Sequence, residues 1–133
     1  MYRNMFAVLV TAGIGLTAGC SRDPKGPGTA DEGYRASLEE LGETLKTLAN
    51  EGRKPPARMA DLEPIEPMMA VAGPAIRSGD VVYIWGAGYA AGSSQVIAYE
   101  KKTPSEGGYV LIQDGSVKKM SADEFKSAPQ AKK

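Results

Sequence analysis

Few residues in this 133-residue chain could do chemistry, and the first observation is how many reactive types are missing. There is no histidine, and Cys20 is the only cysteine. Without histidine the chain lacks the commonest general base, the commonest metal ligand and every Ser-His or Cys-His relay. A lone cysteine makes neither an internal disulfide framework nor a thiolate zinc cluster. Lys plus Arg and Asp plus Glu total 16 each, giving a formal net charge of zero. Nucleic-acid binders need a concentrated basic surface, so no nucleic-acid partner is expected.

The remaining candidates are weak. Asp114 could pair with Glu100 or Glu106 as a carboxylate couple for acid–base work or calcium, but no Asp-x-Asp-x-Asp-Gly loop is present. Asp114 with Gly115 is better explained by a tight turn that needs positive φ at the glycine. Gly86-Ala-Gly-Tyr-Ala-Ala-Gly92 follows an apolar run and superficially suggests a dinucleotide-binding turn. Such a turn must open a helix and then a parallel strand. Here Ser93-Ser94 leads directly into Val96-Ile-Ala-Tyr99, so the segment reads as a flexible loop between antiparallel strands. Ser93 and Ser94 have no base partner. Lys101-Lys102 and Lys118-Lys119 read as solvated charge pairs at strand ends. No catalytic residue, metal site or cofactor is expected, which puts a hydrolase last among the function classes. Tyr83, Trp85 and Tyr89 beside the loop form the one candidate binding surface, for a small ligand or a polymer.

Cys20 carries the sharpest signal. Arg3 is followed by an uncharged run from Met5 to Ala18 with Phe6, Val8, Leu9, Val10, Ile14 and Leu16 as its apolar body. Fourteen helical residues rise about 21 Å, short of a hydrocarbon core of roughly 30 Å. The segment therefore reads as a secretory leader rather than a spanning helix. It ends in Leu16-Thr-Ala-Gly-Cys20, which resembles the lipobox of bacterial lipoproteins, with Thr17 where Leu is more usual. The resemblance implies a signal peptide over residues 1–19, cleavage before Cys20, and acylation of its thiol. The membrane, reached through lipidated Cys20, is then the first partner. Ser21 stands where an Asp would resemble an inner-membrane retention signal, which implies the periplasmic face of the outer membrane. Residues 20–30 contain two prolines, two glycines and no large apolar side chain. They read as a flexible tether that cannot bury enough surface to offset its ordering entropy.

The elements that would position the candidate residues lie in residues 31–127, read as one domain. Tyr34, Leu38, Leu41, Leu45 and Leu48 step by four, three, four and three, predicting a helix from Asp31 to about Gly52 with one apolar face. Glu39, Glu40, Glu43 and Lys46 fall on its wet side. Gly42, costly inside a helix, is small enough to admit another backbone. Five prolines between 55 and 74 allow only short turns of helix, at 57–62 and 68–72. Strands are predicted at 81–85, 95–100, 109–113 and 116–119. Pro104 should stop any helix after the second. Ser121-Ala-Asp-Glu124 has capping-box spacing and opens a short helix pinned by Phe125. Residues 128–133 read as a disordered tail. The fold class is thus α+β: one long N-terminal helix on a small, mainly antiparallel four-stranded sheet, with a short C-terminal helix.

The stretch from Val96 to Phe125, with Tyr99-Glu100, Gly107-Gly108 and Val110-Leu-Ile-Gln-Asp-Gly-Ser-Val117, resembles the C-terminal block of pilin-like proteins of planctomycete-type bacteria. Upstream, Leu41-Gly42-x-x-Leu45, Gly52-x-x-x-Pro56 and Asp61-Leu62 are similar to the helix and connection of the same pattern. A prepilin continues from its cleavage site into a long hydrophobic helix, whereas here the apolar run ends in a lipobox. The resemblance implies a pilin-like domain on a lipid anchor and no activity. The expected function is a non-catalytic envelope lipoprotein, structural or bound to an envelope protein partner, with ligand binding at residues 83–94 as the alternative.

Overall fold

A computed structural model describes residues 30–132. The leader, Cys20 and nearly all of the tether lie outside them. Helix α1 spans Ala30–Asn50, about 31 Å at 1.5 Å per residue. Its leucines at 38, 41, 45 and 48 are all buried, the stripe expected from their spacing. Each such side chain contributes about 1.5–3 kcal/mol by leaving water. Ser37 and Thr44 share the buried face because their hydroxyls donate to the carbonyls of Gly33 and Glu40, four residues back. The helix ends in a Schellman motif: Gly52, at φ 68°, donates to Ala49 O, and Arg53 donates to Leu48 O.

The proline-rich connection departs from expectation. It is one 3-10 stretch, Met59–Met68, followed by helix α2, Ala72–Ser78. Prolines 64 and 67 set φ for a helical path but give up donors, which short i→i+3 bonding tolerates better than a regular helix. Pro74 falls in the first turn of α2, where its missing N–H costs nothing. Glu40 is not on a wet face: its carboxylate accepts from the backbone N–H groups of Val71 and Ala72 at 2.8 and 2.6 Å, fastening α2 to α1.

The sheet runs in the order β1 (Val81–Tyr83), β2 (Val96–Glu100), β3 (Gly108–Ile112), β4 (Val117–Met120), every pair antiparallel. Strand β1 is two residues shorter than expected because Ile84 starts a turn. Ala87 N–H donates to Ile84 O, and Gly86 sits at φ 88°. In β2 a bulge at Ile97 places both Ile97 and Ala98 on the α1 side. A four-residue helix, α3 (Thr103–Glu106), carries Pro104 in its first turn rather than being stopped by it, since proline suits that position. Helix α4 (Ala122–Ser127) opens as expected, with the Ser121 hydroxyl accepting from Glu124 N–H at 3.1 Å.

The sheet buries both faces. Toward α1 lie Val81, Tyr83, Ile97, Ala98 and Leu111 against the leucine stripe. Toward α4 lie Val96, Val110 and Ile112 against Phe125, whose ring meets Tyr99 at 4.7 Å between centroids. The tail expected to be disordered from 128 onward instead pairs with the sheet. Val96 donates to Pro129 O at 2.8 Å and accepts from Ala131 N–H at 3.0 Å, forming a parallel bridge. That bridge uses the length of β2 that the short β1 leaves unpaired.

Candidate functional site

The aromatic surface expected at Tyr83, Trp85 and Tyr89 is divided. Tyr83 and Trp85 meet edge to face, centroids 5.1 Å apart and planes at 75°. Tyr83 is a core residue whose hydroxyl donates to the Ala87 carbonyl. Burial pushes its phenol far above the ordinary tyrosine range, which keeps it neutral. Trp85 is half-buried, and it borders a groove of about 350 Å³ together with Tyr83, Val82, Ile84, Tyr99, Gln130 and Ala131. The paired tail therefore supplies one wall. Tyr89 stands elsewhere. Lys46 of α1 lies over its ring, 5.9 Å from the centroid, and its edge faces Gly115.

The glycine-rich loop does join antiparallel strands, but it is tied down along its length. Gly86 N–H donates to Pro56 O at 2.8 Å, Ala90 N–H to Gln113 O at 2.9 Å, and the Ser93 hydroxyl to Gln113 Oε1 at 2.6 Å. Gly88 is pressed against the Pro55 ring.

Asp114 and Gly115 form the turn between β3 and β4. Gly115 N–H donates to Ile112 O, Ile112 N–H donates to Ser116 O, and Gly115 adopts φ 91°. This is a three-residue hairpin loop closed by a glycine at positive φ. Asp114 Oδ1 accepts from both the N–H and the hydroxyl of Ser116, at 2.9 and 2.6 Å. Those bonds hold its carboxyl below the usual range. The turn and Glu100 lie at opposite ends of β3, so the two do not form a carboxylate couple.

The group that stands out is Glu100, which the sequence suggested only as a companion to Asp114. It is 1% exposed, and among the described residues neither carboxylate oxygen has a hydrogen-bond partner. It pairs with Val81 across the sheet and points to the buried side of β2. Gly108 on β3 leaves it room: a Cβ there would overlap Glu100 Oε2 and lie 2.8 Å from Thr103 Oγ1. The nearest cation, Lys102 Nζ, is 3.8 Å away and already bonded to Asp31 of α1 at 2.7 Å. Lys119 of β4 approaches Asp31 at 3.8 Å. Above the cluster a pocket of about 380 Å³ is bordered by Tyr34, Asp80, Glu100, Lys101, Lys102 and Ser105.

The charges respond accordingly. Burial raises the Glu100 pKa, opposed by the Lys102 charge and by the Tyr109 backbone, which is close but outside hydrogen-bond geometry. The Lys102 bond lowers Asp31, and the same bond raises Lys102. One signal for this cluster was available. With period two along Ala98-Tyr99-Glu100, an inward Tyr83–Ala98 pair puts Glu100 inward too.

Among the described residues no group of three or more acidic or cysteine side chains could hold a metal ion, and no helix is long and apolar enough to cross a membrane. No protein-family model, curated protein or solved structure matches the chain. The likenesses to a lipobox and to pilin-like sequences accordingly rest on the motifs quoted above.

Proposed function

We propose that this chain is a lipid-anchored, non-enzymatic envelope protein whose α/β domain serves a structural or partner-binding role at the periplasmic face of the outer membrane. The observation that carries the reading is Cys20, the only cysteine, placed where the uncharged apolar run gives way to a polar, proline- and glycine-containing segment. A free thiol has no structural task there. Each buried methylene of an acyl chain contributes about 0.8 kcal/mol, and two or more chains anchor a protein stably. Expression in a bacterium supplied with labelled palmitate tests this. Wild type should take up label and fractionate with membranes, and Cys20→Ser should do neither. An unlabelled wild type, or equal solubility of both forms, removes the lipoprotein reading.

The groove beside Trp85 supports a second reading, a binding module for a small ligand or envelope polymer. Trp85 is the only tryptophan, so its fluorescence reports on the groove alone. Soluble peptidoglycan fragments should shift the emission saturably, and Tyr99→Ala should abolish the shift. No shift at millimolar fragment leaves Trp85 as a core residue only.

A further inference from the structure

Glu100 needs an explanation that the anchor and the groove do not give it. A buried carboxylate without a hydrogen-bond partner is strongly disfavoured when ionised, and such groups ordinarily take up a proton instead. Rearrangement offers little relief. The carboxylate already fills the space left by the missing Cβ of Gly108, Thr103 is fully buried beside it, and the Thr103 hydroxyl is directed to Tyr109 O at 3.4 Å. Among the described residues the one cation within 4 Å belongs first to Asp31.

We propose that Glu100 is a proton-binding site in the folded domain, and that its protonation, read through Lys102, sets how firmly Asp31 in the first turn of α1 is held to the sheet. With the proton on, the Lys102 ammonium serves Asp31 alone. With the proton off, a buried negative charge draws the same ammonium toward itself. Asp31 must then share it and lean more on Lys119. The groups facing Glu100 are few: Asp31 and Tyr34 from α1, Asp80 before β1, Lys101 and Lys102 after β2, Glu106 from α3 and Lys119 from β4. Among the described residues Lys102 is the only cation within 4 Å of both acids, so it is the main carrier of the coupling, with the Asp31 and Lys119 charges acting on Glu100 more weakly. Asp31 opens the described domain on the side that leads back along the chain to Cys20.

Burial raises the Glu100 carboxyl. Its contribution to stability is therefore full below the unfolded glutamate pKa and is lost as pH rises through the folded value. Titration of the full chain, followed by side-chain carboxyl carbon NMR, tests the proposal. One glutamate should titrate above all others, and Asp31 should show a second inflection at that same midpoint. Glu100→Gln should remove both features. Lys102→Met should raise the Glu100 midpoint further and shrink the inflection at Asp31 to what their direct charge repulsion leaves. The proposal fails if every glutamate titrates together in the ordinary range. It fails equally if Asp31 shows one inflection only. Should Glu100→Gln not fold, wild type and Lys102→Met still decide between these outcomes.

Discussion

The loop from Ile84 to Gln95 and the corner from Thr103 to Gly108 each place glycines next to side chains able to do chemistry, yet they surround those glycines differently. Gly92 in the loop and Gly107 in the corner share a positive φ, 73° and 77°, but Gly107 combines it with ψ 162°, a region open almost only to glycine. Nothing lies within 4 Å of where a Cβ would be at Gly92. At Gly107 the same Cβ would meet the Met120 carbonyl oxygen at 2.7 Å and Ser121 Cα at 3.2 Å. In the loop glycine serves backbone conformation alone. In the corner it also lets the end of β4 and the start of α4 close over the segment that leads to Glu100's neighbours. A loop tied by its flanks can expose its aromatics, whereas a corner closed by backbone contacts can keep a carboxylate from water.

Substituting alanine at both positions is the strongest way to break this contrast. Positive φ costs an L-residue about 1–2 kcal/mol, and Gly92→Ala should cost about that. Gly107→Ala meets a more restrictive φ/ψ region and adds a backbone collision worth about 1–3 kcal/mol in a packed site, so its loss should reach about 3 kcal/mol or more. Urea unfolding of the two variants beside wild type gives both numbers. Equal losses would mean that the corner yields easily, and Glu100 would then have the freedom to find solvent.

A smaller effect is expected at the β3–β4 turn, which touches both regions. Gly115 adopts φ 91°, and only the Tyr89 ring lies near its missing side chain, at 3.7 Å. Gly115→Val should cost about 1–2 kcal/mol through conformation. The turn also packs on α1, where a methyl at Gly42 would sit 3.3 Å from the Gly115 carbonyl. An unchanged thermal midpoint in Gly115→Val would show that this turn can adopt another geometry without disturbing the helix.

What could be read from the residues in advance, and what could not, follows from how local each cause is. The leucine stripe of α1, the Ser121 cap and the Asp114-Gly115 turn are set by neighbours three or four residues away, and all three were legible. So was the likelihood that Gly42 admits a backbone, because glycine inside a long amphipathic helix has few other uses. Glu40 read as solvated because its partners, Val71 and Ala72, are some thirty residues distant and use their main chain. The pairing of Pro129–Ala131 with Val96 depends on β1 ending early, which in turn depends on Gly86 reaching Pro56. Glu100 was legible only in part, through its period-two relation to Ala98, and its burial was hidden for the same reason. Its own segment looks like any strand end, while its burial is made by Gly108, Thr103 and the start of α1. The aromatics erred in the other direction: adjacency in sequence grouped Tyr89 with Trp85, and the turn at Gly86 sent them to different surfaces.

The smallest effect is also the one with the opposite sign to Glu100, and it concerns Asp114. Two bonds from Ser116 stabilise its carboxylate and depress its pKa. A depressed acid contributes stability that is present above the unfolded value of 3.8 and is lost as pH falls through the folded value. Asp114→Asn keeps an oxygen able to accept from the Ser116 N–H and keeps a residue that suits the turn, so it removes the charge and little else. Wild type should therefore be slightly more stable than the variant at pH 7, and the two should converge toward pH 2.5. Glu100→Gln should diverge from wild type in the other half of the scale, gaining as pH rises. If Asp114→Asn differs from wild type equally at both pH values, the Ser116 bonds do not depend on charge. The contrast between an exposed, satisfied acid and a buried, unsatisfied one would then rest on Glu100 alone.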